Sequence, residues 1–114
     1  MSGALQTLNK ISLRGDHLLF TPDQVASFFG RVSHVYVSTD TEFKRINMCS
    51  VAHPWFTKVH KDAAQMMLKQ KSIEGTKALN IRPFLIDLEI DEYESHDLTL
   101  AFSEKTGLIQ IDFQ

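Results

Sequence analysis

At 114 residues, with 43% hydrophobic and 23% charged side chains, the chain has the length and composition of one globular domain and lies far from the polar regime of disordered chains. Its single cysteine, Cys49, excludes an intramolecular disulfide framework, and a formal net charge of −2 with a pI near 6.2 argues against nucleic acid as the main partner. No apolar run approaches a membrane span, and the first ten residues lack the basic and apolar regions of a signal peptide, so the expected compartment is a reducing cytoplasm.

The first punctuated stretch is Ile11 to Phe20. A two-residue Gly15-Asp16 loop pairs Leu13 with Leu18 and Ile11 with Phe20 on one face of a hairpin. Thr21-Pro22-Asp23-Gln24 then carries the signals of a helix start: an N-cap hydroxyl, a proline at the first helical position and a glutamine where a capping box needs one. With Val25, Phe28 and Phe29 as its apolar stripe and Gly30 after it, this predicts a short helix over 22–29. Two strands follow, Val32 to Ser38 and Phe43 to Val51, with a change of parity at Lys44-Arg45 that suggests a bulge.

Pro54 opens the longest helical pattern, about 54–71: Phe56, Val59, Ala63, Met66 and Met67 recur at helical spacing, and Lys58, Lys61 and Lys69 fall on the other side. Phe84 to Glu92 is the cleanest period-two run, placing Phe84, Ile86, Leu88 and Ile90 on one face of a strand and Asp87, Glu89 and Asp91 on the other. Leu98, Leu100 and Phe102 alternate, the loop at Glu104-Lys105-Thr106-Gly107 turns the chain, and Ile109, Ile111 and Phe113 return opposite them. No repeat or interdomain linker is visible. The predicted fold is a single α+β domain over 1–114: an antiparallel sheet of about five strands plus an N-terminal hairpin, with one long and one short helix packed on it. This order of elements resembles that of roadblock-like and profilin-like domains, and its central and C-terminal part that of PAS-like sensor domains.

Charge is unevenly distributed. Residues 1–83 carry eleven Lys and Arg against six Asp and Glu, whereas 84–114 carry Lys105 alone against eight acids. Such polarity steers association with a charged partner or with a second copy of the chain. Candidate catalytic chemistry is limited to Glu42-Phe43-Lys44, a Glu-x-Lys element of the kind in which an acid holds Mg²⁺ and a lysine orients water, with Asp23 as its remaining acid. His53 and His60 are two helical turns apart on the predicted long helix, too far to share a metal, and Cys49 reads as a structural thiol. No residues assemble a nucleophile, a base and an oxyanion site. The sequence therefore predicts a non-catalytic, cytoplasmic, protein-binding regulator, an adaptor or inhibitor that also pairs with itself as a homodimer. It needs neither metal nor other cofactor and has no nucleic-acid or membrane partner. The expected partner surfaces are Asp87, Glu89 and Asp91 on one side and Lys58, Lys61 and Lys69 on the other. The alternatives are a PAS-like small-ligand sensor and a Mg²⁺-dependent nuclease using Asp23, Glu42 and Lys44.

Overall fold

A computed structural model of the chain describes residues 6–90 and 96–113. Among them are nine strands: β1 (Gln6–Arg14), β2 (His17–Phe20), β3 (His34–Asp40), β4 (Arg45–Ser50), β5 (Ala64–Met67), β6 (Lys69–Gln70), β7 (Lys77–Asn80), β8 (His96–Ser103) and β9 (Ile109–Asp112). Three short helices interrupt them: α1 (Pro22–Phe28), α2 (Trp55–Val59) and α3 (Arg82–Asp87). The strands form one antiparallel sheet in the order β5-β3-β4-β9-β8-β1-β2-β7-β6. Its two end strands, β5 and β6, are separated along the chain by Leu68 alone, whose N–H donates to the Ser33 carbonyl at 2.7 Å. The sheet therefore curls back onto its own start as a nearly closed barrel, which leaves little open edge.

The predicted architecture of five strands and a long helix is thus corrected. Helix α2 ends at Val59, which is 65% exposed, and His60 adopts extended backbone at φ −105° and ψ 92°. Beyond it, Ala64 and Met66 are half-buried while Gln65 and Met67 face outward, so residues that fit a helical period obey the strand period instead. What decides between them is the open position beside β3 that β5 fills. The run from Phe84 to Glu92 shows the reverse error. Its start, Phe84 to Asp87, completes α3, with Leu85 and the cap residue Leu88 buried one turn apart and Ile86 63% exposed. Leu85, which breaks the alternation, marks the helical face, and Pro83 sits in the first turn where it costs no hydrogen bond. Asp91 lies outside the described residues. With these two changes the predicted C-terminal meander reduces to the β8–β9 hairpin, and the likeness to PAS-like, profilin-like and roadblock-like domains loses its basis.

Phe43 and Lys44, expected inside a bulged strand, lie instead in the turn between β3 and β4, with Lys44 at φ 53°, and β4 begins at Arg45; three turn-set strand pairings and the α1 cap hold. Leu13 stands opposite Leu18, Leu100 opposite Ile111 and Phe102 opposite Ile109. At α1 the Gln24 N–H donates to the Thr21 hydroxyl while the Thr21 N–H donates to the Gln24 side chain, completing the capping box.

The barrel also has an internal two-fold relation that the sequence does not display. Exchanging β2-α1-β3-β4 with β7-α3-β8-β9, and β1 with the β5–β6 pair, maps the strand pairings onto themselves. Two pairs lie on the axis of this exchange. Leu18 faces Leu79 across β2 and β7, and Asn47 faces Gln110 across β4 and β9. Leu13 corresponds to Leu68, both buried, and the positive-φ turn residue Lys44 (53°) corresponds to Gly107 (80°). Because β2 and β7 run antiparallel, the helices that follow them close opposite ends of the barrel. α1 inserts Val25 and Phe28, with Phe28 4.4 Å from Phe102 between ring centroids, and α3 inserts Leu85 and Leu88. Between them the interior is filled by Leu13, Leu18, Val35, Val37, Ile46, Met48, Leu79, Leu100 and Ile111, among others.

Candidate functional site

A concavity lies on the outer surface at the α3 end, where β5 parts from β7. Because Leu18 and Leu79 point into the barrel, their strand neighbours His17, Ala78 and Asn80 point out; His17 stands directly opposite Asn80, and Lys69 opposite Ala78. Met66 and Met67 border them where β5 bends away, and Arg82 and Pro83 close the rim from the first turn of α3. Together these eight residues line a groove of about 410 Å³.

Its floor is apolar and its rim carries the polar side chains of His17, Lys69, Asn80 and Arg82. Met67 is 53% exposed and Lys69 and Arg82 face solvent. His17 is held by Asp16, whose carboxylate oxygen lies 2.6 Å from Nδ1; that contact places a proton on Nδ1 and leaves Nε2 as the ring's other polar atom. Asn80 accepts the Arg82 backbone N–H through Oδ1 at 3.0 Å, which leaves its amide nitrogen as a donor. The described lining contains no hydroxyl, thiol or carboxylate.

The residues singled out from sequence are dispersed. Asp23 lies on a second groove, of about 160 Å³, with Glu104, Gln24 and Phe28 at the α1 end. Glu42 and Lys44 lie in the β3–β4 turn at the other end, where Lys44 Nζ donates to the Leu88 carbonyl at 2.6 Å and the Glu42 backbone N–H to the Asp40 carboxylate at 3.1 Å. Asp23 is thus not brought together with Glu42 and Lys44. Among the described residues no group of three or more His, Cys, Asp and Glu side chains is placed to hold a metal ion. Asp87 and Glu89 are exposed at the end of α3; Lys58 and Lys61 are exposed on α2 and just beyond it, and Lys69 belongs to the groove.

A second cluster covers the outer face of β3 and β4. Phe56 is buried and stacks on Tyr36 at 6.2 Å and on His60 at 4.3 Å, while Trp55 Nε1 donates to the Thr106 carbonyl at 3.0 Å. Beneath this cover Cys49 Sγ lies 3.4 Å from the Gly107 carbonyl oxygen. Burial pushes its thiol up to about 11, opposed by a backbone hydrogen bond at Ser50, so it stays protonated and unreactive at neutral pH. These aromatic and sulfur groups are engaged in packing.

No family model matches the chain, and neither does any curated protein or solved structure. Among the described residues no helix is long and apolar enough to cross a membrane. Sequence reasoning missed His17, Asn80, Arg82 and the two methionines as one site because only the pairing of β2 with β7, over sixty positions apart, makes them neighbours.

Proposed function

We propose that this chain is a binding protein whose partner is another protein, working without catalysis as an adaptor or inhibitor. The observation that carries this reading is the groove of about 410 Å³, with a methionine-bearing floor, Lys69 and Arg82 at its rim, and no hydroxyl, thiol or carboxylate in its described lining. Flexible, polarisable methionines suit surfaces that adapt to a partner, and charged rims steer it into place. The exposed Asp87 and Glu89, and Lys58 and Lys61, supply surfaces of opposite sign for a larger interface, including one with a second copy of the chain. Affinity capture at low and high salt with chemical crosslinking, together with light scattering on the purified chain, tests it. Salt-sensitive protein capture or a dimer is expected. If nothing is retained at either salt and the chain is a monomer, the reading fails.

The groove volume also lies within the roughly 300–1,000 Å³ range of small-molecule sites, which keeps a small-ligand sensor as the second reading. A thermal-shift screen of anionic metabolites in which none stabilises the chain removes it.

A further inference from the structure

We propose that the groove at the β5–β7 seam is a binding site for a soft monovalent metal ion, Cu(I), held by Nε2 of His17 and the thioether sulfurs of Met66 and Met67. All three residues line the groove, whose volume of about 410 Å³ leaves room for side chains to close on an ion. Consecutive strand residues ordinarily point to opposite faces. Met66 and Met67 border one groove because β5 ends at Met67 and Leu68, fastened to the Ser33 carbonyl, carries the chain across to β6. Each thioether sits on a flexible, unbranched side chain, so gathering the sulfurs needs side-chain rotation rather than backbone movement.

The histidine is already oriented as a ligand. Asp16 holds its carboxylate oxygen 2.6 Å from Nδ1 of His17, which leaves Nε2 for the metal. A carboxylate behind a ligating imidazole fixes the ring and raises its basicity. Asp16 is fixed in turn, since its backbone carbonyl accepts the Ile81 N–H at 2.8 Å and ties the β1–β2 turn to the end of β7.

The donor set selects the ion. Hard cations such as Mg²⁺ and Ca²⁺ require oxygen ligands, and the lining offers only the side-chain oxygen of Asn80, which already accepts the Arg82 N–H. Among the described residues no three His, Cys, Asp or Glu side chains converge, so Zn²⁺ lacks its usual ligands. Imidazole with thioether sulfur is a set that suits Cu(I). Lys69 and Arg82 at the rim oppose a divalent cation more strongly than a monovalent one, which favours the same ion. The site does not depend on the chain's binding a protein, so failed protein capture leaves it standing.

The test uses the full chain carrying Cys49→Ala, which removes its one thiol as a competing soft ligand. Cu(I) is supplied without oxygen from a bicinchoninate buffer, and Ag(I), a redox-inert ion of similar softness, is added to protein with ¹³C-labelled methionine methyls. The chain is expected to withdraw one Cu(I) from the chelator and to leave Zn²⁺ unbound. Ag(I) is expected to move the ε-methyl signals of Met66 and Met67 and to leave that of buried Met48 in place. Met66→Leu, Met67→Leu, His17→Gln and, through His17, Asp16→Asn are each expected to weaken Cu(I) binding about tenfold or more, with metal-free thermal unfolding unchanged. Met67, more than half exposed, carries the decision should Met66→Leu disturb the packing. His34→Gln, opposite Met67 on the β3 side and away from the groove, is expected to change nothing. Cu(I) left on the chelator, full affinity in Met67→Leu or His17→Gln, Zn²⁺ bound as tightly as Cu(I), or a greater loss in His34→Gln than in His17→Gln overturns the proposal.

Discussion

The Gln110 side-chain amide donates to the Asn47 side-chain oxygen at 3.0 Å, and these two residues, directly opposite across β4 and β9, are each other's counterparts in the two halves of the barrel. Asn47 is buried, so removing one partner strands a polar group that has lost its access to water. Gln110→Leu alone is therefore expected to cost about 1–3 kcal/mol in urea unfolding. Replacing both residues by Leu removes the stranded group, so the double variant should be more stable than the sum of the single losses implies; additive losses would show that the pair is not coupled.

The ends of α1 and α3 offer a matched comparison. Gly30 follows the cap of α1 at φ 59°, and Glu89 follows the cap of α3 at φ 59°, in the left-handed region that penalises a β-carbon. Glu89→Gly is expected to raise stability by about 0.5–1 kcal/mol, and Gly30→Ala, where an added methyl meets no atom within 4 Å, to lower it by about 1 kcal/mol from backbone strain alone. Thermal unfolding of the two variants checks both signs.

The legibility of this fold in its sequence follows the range of the determining contact. The Gly15-Asp16 turn, the Thr21 cap and the pairing of Phe102 with Ile109 are set within a few residues, and all three were readable. Met66 and Phe84 were misassigned because each period-two or helical pattern was short and two-sided, and the deciding partners, β3 for Met66 and the barrel end for α3, are distant in sequence. The two-fold relation was hidden for a related reason. Its counterparts share a direction into the core, as Val37 and Leu100 do, rather than an identity. The groove inherits the same difficulty, since its cations lie on β6 and α3 and meet His17 only when the barrel closes.

Gly107 is constrained twice. Its φ of 80° disfavours any side chain, and a β-carbon there would lie 2.7 Å from Nε2 of His53. Gly107→Ala should cost more than the roughly 1 kcal/mol expected at Gly30, with the excess coming from displacement of the imidazole. Adding His53→Ala to Gly107→Ala should recover that excess and leave the backbone part. If His53→Ala recovers nothing, the close approach contributes no strain.

Cys49 links the covered face of β4 to pH. Its thiol is raised from 9.0 to about 11 by burial, so the folded chain keeps the proton that the unfolded chain releases first as pH rises. The sign follows: the stabilisation from the neutral thiol is complete below pH 9 and is lost as pH climbs from about 9 to about 11. Denaturant unfolding at several pH values across that window should show a fall in stability that is shallower in Cys49→Ala, the difference between the two proteins isolating this group from the lysines and tyrosines that also titrate there. In the folded chain at pH 8 a thiol-specific disulfide reagent should leave Cys49 unmodified until denaturant is added; rapid modification without denaturant would mean that the cover of Trp55, Phe56 and His60 opens readily.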